Sequence, residues 1–178
     1  MLRQAFRRWS LQRRLDRRLP ELGEVHRIVV LCTANRVRSP FAELYLARRA
    51  PHGVHVMSRG VIDGGPQCPG EAIEAAAMHG LDLSRHRART VAVQELLQAD
   101  LVLTMELRMA HELSVLYPAI ERNIVPLGYF DEARRMNDIA DPYMLPRAEY
   151  VLAYDIIARC CDGLLHRLTE SRSLVGAH

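Results

Sequence analysis

The sequence predicts an α/β fold: a four-stranded parallel sheet with helices on both faces and an oxyanion loop between the first strand and the first helix. Three observations predict it. Short β-branched apolar runs recur along the chain, and they are continuously apolar, as strands buried on both faces require. A stretch of helical length follows each of the first three, and glycine or proline punctuates the joins. With 178 residues, 49% hydrophobic and 25% charged, the chain fits one globular domain that needs neither metal nor disulfide to complete its core.

Residues 27–32 (RIVVLC) form the first strand, which ends on Cys32. Ser39 and Pro40 then start a helix, serine as N-cap and proline in the first turn, with Phe41, Leu44, Tyr45 and Ala47 as its apolar stripe. Residues 54–58 read as the second strand, 60–69 as a loop rich in glycine and proline, and 71–79 as a helix stopped by Gly80. Residues 101–105 are a third buried strand, 106–117 a helix ended by Pro118, and 123–126 a short fourth strand. A last helix begins near Pro146 and runs past Leu165, with Tyr150, Ala153, Ile157 and Leu164 at helical spacing. Cys160 and Cys161 point about 100° apart on it, so at most one is expected to face the core fully. The predicted organisation is a basic arm over 1–25, a domain over 26–170 and a tail over 171–178.

Charge is unevenly spread. Residues 1–18 carry seven arginines against Asp16, a local charge of +6, while the whole chain carries only +3. The body is therefore mildly acidic, which argues against nucleic acid as a partner. Leu2, Phe6, Trp9 and Leu15 oppose the arginines on a helical wheel, a pattern suited to an anionic membrane or an acidic partner, or to packing on the body. No apolar run approaches the ~20 residues of a spanning helix, and arginines interrupt any secretory segment, so a cytoplasmic location with reduced cysteines is expected.

In an open parallel sheet, ligands collect where strand carboxyl ends meet helix amino ends. The first such loop reads Cys32-Thr33-Ala34-Asn35-Arg36-Val37-Arg38-Ser39. It offers an oxyanion converging backbone N–H groups, the positive end of a helix and a guanidinium able to grip two oxygens. The same positive field favours a cysteine thiolate as nucleophile. Asn35 suits a left-handed backbone position. The histidines are scattered without metal-ligand spacing, and no metal or cofactor is called for.

The run from Val30 to Pro40 resembles the active-site loop of the low-molecular-weight protein tyrosine phosphatases, and the likeness extends over about residues 26–168. Ser58-Arg59-Gly60 is similar to the family's serine-x-glycine turn, residues 83–89 to its histidine-containing segment, Met105-Glu106 to its methionine-acid pair, and residues 138–143 to its Asp-Pro-aromatic loop. The resemblance implies that Cys32 attacks phosphorus, that Arg38 and the backbone from Thr33 through Ala34, Asn35, Arg36 and Val37 to Ser39 hold the phosphate oxygens, and that Asp141 acts as general acid and base. It further implies that Ser58 and His86 hold Asn35, that Ser39 hydrogen-bonds the thiolate, and that Tyr143 stacks at the pocket rim. The implied partner is a phosphotyrosine protein such as a bacterial tyrosine kinase.

The chain departs from the pattern at two positions. Many members have glycine where this chain has Ala34, which is tolerable only if the backbone there avoids positive φ. Many have a second cysteine where this chain has Val37, so their reversible protective disulfide is not open to it. Arg36 borders the pocket, where it either favours acidic residues beside the phosphotyrosine or points to solvent. Other readings are a protein arginine phosphatase, an arsenate reductase and a phosphate-binding module. The reductase would need two more relay cysteines, and residues 81–123 hold none; the module would need neither nucleophile nor acid.

Overall fold

The computed structural model describes residues 19–133 and 138–175; the basic arm over 1–18 lies outside the described residues. Four strands pair in parallel in the order β2-β1-β3-β4: β1 (Arg27–Cys32), β2 (His55–Gly60), β3 (Leu101–Thr104) and β4 (Ile124–Pro126). Register sets Cys32 beside Gly60 and Leu31 beside Thr104, so the carboxyl ends of β1, β2 and β3 lie level at one edge of the sheet.

The continuous apolar runs divide their side chains by the two-residue period of a strand. Ile28, Val30, Leu101, Leu103 and Val125 face one side, with Phe41 and Leu46 of α1 (Arg38–Ala47), Ala72, Ala75 and Ala76 of α2 (Gly70–Ala77), and Tyr154, Ile157 and Leu164 of α5 (Arg147–Val175). Val29, Leu31, Val102 and Ile124 face the other, under Leu96 of α3 (Val93–Leu97) and Met109, Ala110 and Leu113 of α4 (Leu107–Leu116). The expected sheet with helices on both faces is the observed one.

Several boundaries differ from expectation, each for a local reason. Helix α1 begins at Arg38, with Val37 as an N-cap that lends no side chain. Ser39, expected as the cap, lies in the first turn, and its hydroxyl serves the cysteine loop. The second strand runs two residues further than expected, to Gly60, because Gly60 bridges to Thr90 and donates its N–H to Arg89 O. The short helix α3 was not expected; Arg59 and the Ala92 N–H both bind the Glu95 carboxylate and fix its first turn.

Both Cys160 and Cys161 are fully buried, contrary to the expectation for adjacent helical positions. Helix α5 is enclosed by α1, α2 and the short 3₁₀ helices at Leu19–Glu24 and Leu127–Phe130, so more than one stripe of its surface is interior. Leu22 and Val25 share that core, and Arg172 near the end of α5 donates to Val25 O at 2.9 Å and His52 O at 2.7 Å. Among the described residues, no helix is long and apolar enough to cross a membrane.

Candidate active site

The loop between β1 and α1 lies at the point where β1 has β2 on one side and β3 on the other, the topological switch of the sheet. Its chain path depends on two close approaches. A Cβ at Gly60 would come within 2.8 Å of the Ala34 carbonyl carbon, so only glycine lets β2 end against the loop. A Cβ at Gly64 would meet Ala34 Cβ at 2.5 Å, so Gly64 makes the room that the extra methyl of Ala34 takes. Ala34 is not among the positive-φ residues, which meets the condition set by its side chain.

Asn35 is the hub of the loop. It holds a left-handed backbone at φ 54° and is completely buried. Its Nδ2 donates to Ser39 Oγ at 3.0 Å and to Ser58 Oγ at 2.7 Å, while its Oδ1 accepts from the Arg89 N–H at 3.0 Å. His86 Nε2 donates to the Asn35 carbonyl at 2.9 Å. These partners come from α1, β2 and the 83–89 segment, which the sheet brings together.

The directions of these bonds set the chemistry. Ser39 Oγ receives an N–H from Asn35, so its own proton turns to Cys32 Sγ at 3.0 Å. Ser58 likewise turns its proton to the Glu43 carboxylate, a partner that nothing in the sequence marked. Glu43 is one turn beyond Ser39 on α1, and only the fold shows that this turn faces β2.

Exchanging Asn35 for alanine is expected to cost about 2–4 kcal/mol, from an orphaned Arg89 N–H and a side chain forced into the left-handed region. Asn35→Gly should recover about 1 kcal/mol of that, since glycine accepts the backbone but not the hydrogen bonds. Urea midpoints of the two variants check both figures.

Burial is the main influence on His86 and lowers its pKa, with the Asn35 carbonyl opposing. The unfolded chain therefore binds a proton here that the native chain resists, and stability falls as pH drops from the ordinary histidine value of about 6.5 toward the depressed native one. The urea midpoint should decline between pH 7.5 and 5.5, and His86→Gln should flatten that decline; an equal decline in the variant would assign it to other groups.

Arg38 is wholly buried and its donors are almost all engaged. Nη1 donates to Glu106 Oε1 at 2.7 Å and Ile139 O at 2.9 Å; Nη2 donates to Thr33 Oγ1 at 3.1 Å and Asp141 Oδ2 at 2.5 Å. Its Nε is buried without a partner among the described residues. Likewise no N–H from Thr33 to Val37 donates to an oxygen of the described residues. One buried guanidinium N–H and a row of loop N–H groups thus need an acceptor that the described residues do not supply.

Asp141 reaches the site because Ile139, just before it, is pinned: its side chain is buried and its N–H donates to Met105 O at 2.9 Å. Asp138 Oδ1 accepts the Leu107 N–H at the start of α4. Past Asp141 the chain turns with Leu145 N–H on Pro142 O and Met144 at φ 64°, which carries Tyr143 to the rim. Arg36 does not point to solvent; it is tied to Gly64 O, Gln67 O and the Tyr143 hydroxyl.

Val37 is buried, and its carbonyl accepts from Tyr154, whose ring stacks on Phe41 at 4.1 Å. Cys68 is buried as well, and burial pushes its thiol up to about 11, so it remains protonated and inert at neutral pH.

A cysteine, an enclosed arginine and a carboxylate around one oxyanion loop at the switch of a parallel sheet are the groups that a phosphatase of the cysteine-dependent class requires. Comparison with known proteins narrows this. Residues 27–174 match the family model of the low molecular weight phosphotyrosine protein phosphatases, and the chain belongs to that family. It is 34% identical over 143 residues to a probable low molecular weight protein-tyrosine-phosphatase, EpsP, of Ralstonia nicotianae, covering 79% of this chain and 94% of that one. In structure it is similar to the YwlE arginine phosphatase of Geobacillus stearothermophilus, at TM-score 0.76 and 27% identity, over 86% of this chain and 97% of that one. It is also similar to Wzb of Vibrio vulnificus in complex with benzylphosphonate, at TM-score 0.69 and 26% identity, over 78% and 95%.

Proposed function

We propose that this protein hydrolyses phosphotyrosine in proteins through a cysteinyl-phosphate intermediate. The observation that carries the reading is that, among the described residues, both the buried Nε of Arg38 and the N–H groups of the Cys32 loop lack an acceptor. Cys32 Sγ attacks phosphorus as the bond from phosphorus to the tyrosine oxygen breaks, and Asp141 gives its proton to that oxygen. The Asp141 carboxylate then takes a proton from water, whose oxygen attacks phosphorus, and the sulfur–phosphorus bond breaks to free phosphate. Arg38 and the N–H groups from Thr33 to Ser39 hold the equatorial oxygens throughout. For this, Asp141 must leave Nη2 of Arg38 when phosphate arrives; Glu106 stays to hold the guanidinium in place.

Tyr143, exposed at the rim, stacks on the phenol ring of the substrate. The relation to EpsP and to Wzb, seen with an aryl-methyl phosphonate, supports an aromatic substrate. The proposal includes a cytoplasmic setting and, as the protein dephosphorylated, a phosphotyrosine protein such as a bacterial tyrosine kinase. Phosphoarginine hydrolysis is the second reading, favoured by the likeness to YwlE.

The test is hydrolysis of para-nitrophenyl phosphate and a phosphotyrosine peptide without metal. Asp141→Asn is expected to lower kcat on the peptide by about 10²–10⁴-fold, the usual worth of a general acid. The nitrophenyl ester should lose less, since its leaving group needs little protonation. Equal losses on both substrates would remove Asp141 from that role.

A further inference from the structure

The end of the sheet opposite the catalytic loop carries a second cationic surface. Parallel strands set their amino ends level, so the end of α1, the segment before β2 and the last turns of α5 come together there. Between α1 and α5 lies an open cavity of about 440 Å³, lined by Arg49, Pro51, Thr169, Arg172 and Ser173. No carboxylate of the described residues lines it. Arg172 donates to His52 O and Val25 O, and its buried Nε has no acceptor among the described residues. Arg49 donates to Tyr45 O and lies over the Tyr45 ring, its guanidinium carbon 3.9 Å from the centre. Among the described residues, neither guanidinium forms an ion pair.

The hydroxyls of Thr169 and Ser173 donate along the helix, to Leu165 O and Thr169 O, so an incoming group meets guanidinium N–H groups as its donors. Two arginines without an acid suit an oxyanion of the phosphate class, and the buried N–H without an acceptor is the observation that calls for one. The surroundings decide where such a phosphate comes from. On the same end of the sheet His26, Arg27, Arg48, His52 and His55 are exposed, and so are Leu97, Val115 and Leu116 at the ends of α3 and α4. Residues 1–18, with seven arginines against Asp16 and with Phe6 and Trp9 among them, precede β1 in the chain and so join the body at this end. Cations, apolar side chains and a phosphate site on one surface match an anionic bilayer, which presents phosphates over a hydrocarbon layer. A dissolved phosphate would leave the apolar side chains without a partner.

We propose that this end of the sheet docks on an anionic phospholipid surface, with one lipid phosphate seated between Arg49 and Arg172. The Cys32 loop, at the carboxyl ends of the strands, then faces away from the bilayer and stays open to solution. The docking face shares no residue with the catalytic site, so the inference stands apart from the reading of the substrate.

The experiment is co-sedimentation of the full chain, at low ionic strength, with vesicles of phosphatidylglycerol and phosphatidylcholine in equal parts and with vesicles of phosphatidylcholine alone. The wild type should pellet with the first and not with the second, and raised salt should release it. Arg49→Gln should weaken the binding about fivefold, and Arg49→Gln with Arg172→Gln about 25-fold, from the usual contribution of an arginine at an anionic leaflet. Leu116→Ser, which changes no charge, should weaken it about tenfold. Thermal melting checks that each variant is folded. Arg49 is exposed, so its single variant carries the test should the loss of Arg172 unfold the chain.

Equal binding to both kinds of vesicle would mean apolar adsorption and would overturn the proposal. Undiminished pelleting of the Arg49→Gln variant would also overturn it, by giving the binding to residues 1–18 alone. Failure of the wild type to pellet with either vesicle overturns it too, and titration with glycerol 3-phosphate would then show whether the cavity takes a dissolved phosphate ester instead.

Discussion

Replacing Cys32 by serine is expected to lower hydrolysis of phosphotyrosine to background, a loss of at least about 10⁴-fold, while the fold and phosphate binding persist. Cys32 sits at the end of β1 with Ser39 Oγ as its hydrogen-bond donor. No base lies within hydrogen-bond reach of the sulfur among the described residues: His86 is committed to Asn35, and Asp141 to Arg38. A thiol is intrinsically a far better nucleophile than an alcohol, so a serine hydroxyl at this position would need a base, and the described residues place none beside it. The change in volume is small and the Ser39 bond can be kept, so the thermal midpoint should move by only a few degrees. Turnover, thermal melting and calorimetric titration with phosphate read the three quantities separately. Substantial turnover by the serine variant would show that the nucleophile lies elsewhere.

The second large effect is expected at Arg38. Arg38→Lys should cost about 10³-fold or more in kcat/KM, since a point charge cannot present two parallel donors to a phosphate. It should also destabilise the protein by about 3–5 kcal/mol, the range for breaking a buried ion pair from one side. Arg38 serves Glu106, Asp141, Thr33 and Ile139 at once, and one ammonium cannot reach all four from the lysine stem. Part of the ion-pair loss is offset because Glu106 and Asp141 keep about one third of their side-chain surface in water. Urea unfolding gives the stability change, and kcat/KM on a phosphotyrosine peptide gives the catalytic one. If activity falls while stability holds, the internal hydrogen bonds matter less than their number suggests.

Much of the loop was legible because it is local. Cys32, Asn35, Arg38 and Ser39 lie within one strand-to-helix turn, and the chemistry of such a turn follows from residue types and spacing. Asn35 was marked for a left-handed backbone by its own side chain, and its φ of 54° agrees. Helix α1 starts two residues earlier than the capping signal of serine before proline predicts, because Ser39 turns its hydroxyl to the sulfur instead of capping the helix. Helix α3 was missed because its first turn depends on Arg59, over thirty residues away on β2, holding Glu95.

By itself the sequence determined the alternation of strand and helix, the buried character of the strands and the placing of a cysteine and an arginine on one oxyanion loop. Those features depend on contacts between near neighbours, whose periodicity is written in the chain. Only the tertiary structure decided that Glu43 supports Ser58, that Gly64 makes room for Ala34, that both cysteines of α5 are interior, and that Arg36 joins three loops at the mouth of the site. Each of these is a long-range packing outcome, set by which surfaces the sheet brings together, and no local pattern of residues encodes it.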